Sequence, residues 1–166
     1  MSTEKSKKAQ LAETNGYTDD ESAMITANND PTIAASIVAN ISQGKPYFWT
    51  SKRFATREQR LECIRMLNDK ENGIDKILHP NKFAVSDVIV TQAMFMDADG
   101  KQVVTPKCVL IDANGDTVSI MARVWVTEFL QTWLFMGNPP WEEPLIVSAK
   151  QVKGNGANRY YSLFLP

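Results

Sequence analysis

The chain has 166 residues, of which 43% are apolar and 22% charged, with a formal net charge of −1; this balance excludes a low-complexity polymer and a uniformly basic polycation. Two cysteines, Cys63 and Cys108, make no disulfide framework. No apolar run reaches the ~18 residues of a membrane helix, and the Met-Ser-Thr-Glu-Lys start has no leader-like stretch, so no membrane partner and a cytoplasmic setting are expected.

Residues 1–29 are polar, without a sustained apolar period, and read as a disordered tail. Asp30-Pro31 has the chemistry of a helix start, and Ile33, Ile37, Val38 and Ile41 form one apolar stripe that Ser42-Gln43-Gly44 ends. A second helix is expected from Thr56, which has capping-box spacing to Gln59. Its expected apolar face is Cys63, Ile64 and Leu67, with Leu61 nearby, and Asn72-Gly73 marks its exit. Together residues 30–84 read as a helical extension.

From residue 85 the period changes. Val88 to Met96 is a long β-type run, followed by the turn Asp97-Ala98-Asp99-Gly100 and a second strand over Val103 to Ile111, with Pro106 at a bulge or edge. Asp112-Ala113-Asn114-Gly115 signals a hairpin into a third strand, Thr117 to Met121. A helix over Thr127 to Met136 is closed by Gly137 and Pro139-Pro140. Strands over Leu145 to Val152 and Arg159 to Leu165 follow, joined by Gly154-Asn155-Gly156. The order β-β-β-α-β-β predicts a mainly β chain whose residues 85–166 form a five-stranded OB-fold, with the helical extension before it.

The run Val104 to Trp125, the helix ending Leu134-Phe135-Met136-Gly137-Asn138-Pro139-Pro140-Trp141 and the closing Glu142 to Leu165 resemble phage-type single-stranded DNA-binding proteins. The likeness covers residues 45–166. It implies a non-catalytic OB-fold protein that coats single-stranded DNA during replication or recombination, in the host cytoplasm if phage-encoded. Replication proteins, or a homo-oligomer, would be its further partners. The acidic C-terminal tail common among such proteins is missing here: the chain ends Leu163-Phe164-Leu165-Pro166 and carries its acidic stretch near Asp19-Asp20-Glu21.

Sequence-tolerant binding of single strands needs cations for phosphates and aromatic faces for bases. Residues 45–65 carry a balance of +4 and residues 145–166 a balance of +3, with no acid in the second block. In the first block the candidates are Lys45, Tyr47, Trp49, Lys52, Arg53, Phe54 and Arg57, while Phe48 reads as packing. In the second they are Lys150, Lys153, Arg159 and Tyr161. Lys107, Arg123 and Trp125 join them as residues on or beside the second and third strands. Trp133 and Trp141 read as core and loop anchor.

Catalysis has little support. His79 stands alone before Pro80 without a triad context, the cysteines lack metal-ligand spacing, and there is no phosphate-binding glycine loop ahead of a helix. No cofactor, metal or enzyme activity is therefore expected. A protein-binding OB module, such as a phage assembly or host-inhibitor factor, is the alternative that the same barrel supports.

Overall fold

The computed structural model describes residues 31–156 and 158–166. In chain order these form α1 (Ile33–Gln43), β1 (Trp49–Thr50), α2 (Arg57–Asn68), a 3-10 turn (Ile74–Ile77), β2 (Phe83–Val85), β3 (Asp87–Met96), β4 (Gln102–Ile111), β5 (Thr117–Ile120), α3 (Arg123–Met136), β6 (Leu145–Lys153) and β7 (Arg159–Phe164). Helix and strand are near parity, 30% and 33%, so the expected mainly β class is corrected to a mixed one. The expected tail, and Asp30, lie outside the described residues.

Two antiparallel sheets organise the chain, one ordered β1-β3-β4-β5 and the other β2-β6-β7. Ser86 alone separates β2 from β3. Its N–H donates to the Ile111 carbonyl at 2.8 Å and its carbonyl accepts from the Trp141 N–H at 2.9 Å. Residues 83–96 therefore run through both sheets, β2 pairing with β6 and β3 with β4. The order β-β-β-α-β-β is present over β3 to β7.

Pleating splits the apolar runs of β3 and β4 between two faces. Val88, Val90, Cys108 and Leu110 point into the main core with Val118, Ile120, Val147 and Ala149. Ile37 of α1 and Trp125, Phe129 and Trp133 of α3 close that core. Ile89, Val109 and Ile111 point the other way, onto Phe54 and the Cys63 and Met66 side chains of α2. Because helices cover both faces, the strands read as continuous apolar runs instead of alternating ones. Residues 49–50 and 83–85, read from sequence as extension, supply strands to the two sheets, so residues 31–84 share one core with the rest of the chain.

Several local signals act as their chemistry suggests. Thr56 accepts from the Gln59 N–H at 3.1 Å and Gln59 accepts from the Thr56 N–H at 3.0 Å, a complete capping box. Asp97 and Asp112 each accept two backbone N–H bonds within their turns, and Gly100 and Gly115 take φ of 76° and 88°. Pro106 sits where β5 has ended: β5 reaches only to Cys108, so β4 has one neighbour there and the missing N–H is tolerated.

Two expectations are corrected. On α2 the buried face is Cys63, Met66 and Leu67, while Leu61 and Ile64 are exposed, because the sheet meets the helix one position round from the predicted stripe. The third helix starts at Arg123 instead of Thr127, which moves Trp125 from a strand end into the first turn of α3. There Trp125 is fully buried, stacks on Phe129 with centroids 5.2 Å apart, and donates from Nε1 to the Ser148 carbonyl at 3.0 Å.

Candidate functional site

The aromatic and cationic side chains of Lys45–Phe54 separate in the fold. β1 pairs with β3, Trp49 opposite Val90, which turns the Trp49 ring into the core against Trp133 at 4.9 Å. Phe54 is buried under α2. Trp49, Phe54 and Trp125 are therefore corrected from stacking candidates to core residues. Phe48, expected to pack, is instead 47% exposed, since neighbours on an extended segment point to opposite sides. Among the cations, Lys45, Arg53 and Arg57 are exposed, and Lys52 is half-buried with its backbone N–H donating to Thr50 Oγ1 at 3.1 Å.

The final hairpin keeps its candidates at the surface. Lys153 stands directly opposite Arg159, and Gln151 opposite Tyr161, on the strand face that continues toward Ala149 and Leu163. Like charges placed opposite each other on neighbouring strands repel. Lys153 and Arg159 are both exposed, Tyr161 is half-buried, and Tyr160, on the other face, is exposed over Gly154. Lys150 lies 3.8 Å from the Phe164 ring centroid, a cation–π contact on that second face. The cations of the first block stand on the loops flanking β1 and on α2, whereas those of the second stand on the β6–β7 hairpin.

β3 and β4 run ten residues each, but β5 covers only four of the β4 positions. The uncovered half is the wall of an open groove of about 690 Å³, reaching across the three strands to the residues that follow α2. Thr91, Phe95, Lys107, Ser119 and Met121 line it, with Lys70 and Asn72 on the opposite rim. Lys107 donates to the Leu67 carbonyl at the C-terminal end of α2, so it fastens the helix as well as charging the groove. Burial pulls the Lys107 ammonium below the usual lysine range, and Asp69 opposes that pull. Hydrogen bonds from the Asn72 side chain and the Glu71 amide hold the Asp69 carboxyl below its usual range. Of these groove residues the sequence reading singled out only Lys107. The difference in length between β5 and its neighbours was the signal that Phe95 and Met121 lose their cover.

A second, smaller cavity of about 250 Å³ brings together Lys45, Tyr47 and Arg123, three candidates far apart in the chain. Burial pushes the Tyr47 phenol up to about 12, assisted by Cys108 and opposed by the Arg123 charge. Burial likewise raises the Cys63 and Cys108 thiols. No group of metal-ligating side chains occurs among the described residues, and no described helix is long and apolar enough to cross a membrane. No protein-family model matches the chain, and no curated protein or solved structure matches it either.

Proposed function

We propose that this chain binds single-stranded DNA without catalysis and with little regard for sequence, as a protein of DNA replication or recombination. The observation that carries the reading is the Lys153–Arg159 pair. Two cations held side by side on one strand face, next to Tyr161, cost stability unless a polyanion neutralises them. The element order supports it: a strand run that passes through both sheets, then β-β-α-β-β, follows the order expected of an OB-fold. In OB-folds the face of the second and third strands and the last hairpin loop take oligonucleotides. On that mapping the second and third strands, β4 and β5, bring Lys107 and Ser119 to the groove, and the last hairpin carries Lys153, Arg159 and Tyr161. The likeness to phage-type single-stranded DNA-binding proteins points the same way.

The test is fluorescence anisotropy of a labelled oligo-dT with the full chain at rising salt. Binding that weakens steeply with salt is expected, and Lys153→Glu should weaken it further; no binding at low salt overturns the reading. An OB-type protein-binding module is favoured by one specific observation. Beyond the reach of β5 the β3–β4 hairpin exposes Met94, Phe95, Met96 and Val104, apolar on both faces. That reading predicts a partner whose capture survives Lys153→Glu and fails with Met96→Asp.

A further inference from the structure

Four pieces of chain meet around the smaller cavity, and each arrives for its own reason. α1 ends in a Schellman closure: Gly44, at φ 68°, donates to the Ile41 carbonyl at 3.2 Å, and the Lys45 N–H donates to the Asn40 carbonyl at 2.9 Å. This closure occupies the helix's last carbonyls on that side and swings Lys45 to the cavity rim. Tyr47 forms part of the wall, and its hydroxyl is buried with no hydrogen-bond partner among the described residues. Gln92, Val104, Thr105 and Pro106 supply the floor from the uncovered half of the β3–β4 ladder.

The fourth piece is the start of α3. Its N-cap residue is Ala122, no side chain caps it, and its first turn holds no acidic residue. The first amides of a helix have no intrahelical acceptor and carry a partial positive charge. α2, by contrast, closes its start with the capping box at Thr56 and Gln59. Arg123 is the first residue of α3, so a full charge and the helix start occupy the same place. Neither Arg123 nor Lys45 is ion-paired with a described carboxylate. Two cations, one of them the first residue of an uncapped helix, thus line one small space.

We propose that this cavity is a phosphate seat, which holds one backbone phosphate of a bound single strand between Lys45 and Arg123 at the start of α3. The seat rests on the reading of the chain as a single-strand binder and adds to it a defined entry or exit point. Gln92 lines both the groove and the cavity. β1 pairs only with Ile89 and Val90, so beyond them β3 is an edge that a strand can cross from one space to the other. Phosphate suits the site because its oxygens accept from guanidinium, ammonium and backbone N–H groups together.

The experiment uses the full chain with Lys45→Gln, Arg123→Gln and the double variant, whose side chains are exposed, so that urea midpoints close to the parent are expected. Labelled oligo-dT is titrated by anisotropy across a salt series. The double variant should weaken binding roughly tenfold. It should also flatten the log–log salt slope by about 0.7, the share of one phosphate on a single strand. In a second arm, inorganic phosphate is titrated into the isotope-labelled protein while the Arg123, Val124 and Trp125 amides are followed by NMR. Saturable shifts are expected in the parent and not in the double variant. If the parent binds oligo-dT and the double variant keeps the same slope and affinity, the seat is overturned while single-strand binding stands. If the parent ignores oligo-dT yet phosphate shifts those amides, the strand is overturned as occupant and an anion seat for free phosphate stands. If phosphate moves nothing and the slope is unchanged, no seat exists.

Discussion

The Glu128 carboxylate of α3 accepts the Leu163 backbone N–H of β7 at 2.8 Å, and the same oxygen accepts the Ser162 hydroxyl at 2.9 Å. β7 is an outer strand of its sheet, and an edge with unpaired N–H groups is a template for unwanted pairing. One side chain thereby ties the helix to the strand and masks part of the edge.

Glu128→Ala should lower stability by about 1.5–3 kcal/mol, the range for hydrogen bonds to a charged acceptor. Glu128→Gln keeps an oxygen in place and should lose less. Urea denaturation of the two variants checks the order, and equal losses would show that the contact does not fasten β7.

The Lys153–Arg159 pair sets stability against binding. Lys153→Glu turns a repulsive cross-strand pair into an attractive one and should raise stability by about 0.2–1 kcal/mol. The same change should weaken oligo-dT binding. Thermal melts and anisotropy on one preparation would show the two effects moving in opposite directions.

Alkaline pH should destabilise the fold. Tyr47 has its folded pKa raised from 10.0 to about 12, so the folded state holds a proton that the unfolded state releases. Its contribution is fully present below pH 10 and is lost as pH climbs toward 12. The raised Cys63 and Cys108 thiols add a loss of the same sign that starts near 9. Tyr47→Phe should shrink the fall in urea midpoint between pH 10 and 12, while the earlier fall, owed to the thiols, remains.

All four tryptophans are buried, the most exposed being Trp141 at 9%. Emission should therefore be blue-shifted and resist acrylamide. Oligonucleotide cannot stack on these rings in this fold, so binding should appear in anisotropy with little tryptophan quenching. Strong quenching by oligo-dT would mean that β1 opens to release Trp49.

Thr56→Ala removes one half of the α2 capping box and should cost about 1 kcal/mol. Because α2 covers Ile89, Val109 and Ile111, exchange of amides on that face should rise with it. Hydrogen exchange by mass spectrometry reads this directly.

What could be read in advance shares one physical property. The capping box at Thr56, the turn at Asp112–Gly115, the end of α1 at Gly44 and the order of β3 to β7 are written in residues within a few positions of each other. Turn geometry and helix capping are local chemistry, and the neighbouring sequence supplies every partner they need.

The candidate site was legible only in part. The exposed cations of the last hairpin, with Tyr160 exposed and Tyr161 half-buried on opposite faces, stay where a two-residue strand period puts them. By contrast, the stacking role read into Trp49, Phe54 and Trp125 did not survive, because burial depends on partners far along the chain: Val90 and Trp133 for Trp49, Ile89 and Val109 near Phe54, Ser148 for Trp125.

The sequence by itself determined the alternation of strands and turns, the capped second helix and the two concentrations of positive charge. Tertiary structure alone decided which aromatics reach solvent, that the first basic block falls on loops and α2 while the second lies on β6–β7, and that Lys45, Tyr47 and Arg123 line one cavity. The reason is that side-chain chemistry sets what a residue prefers, whereas the pairing of distant strands and the packing of helices set which residues must share the limited space of the core.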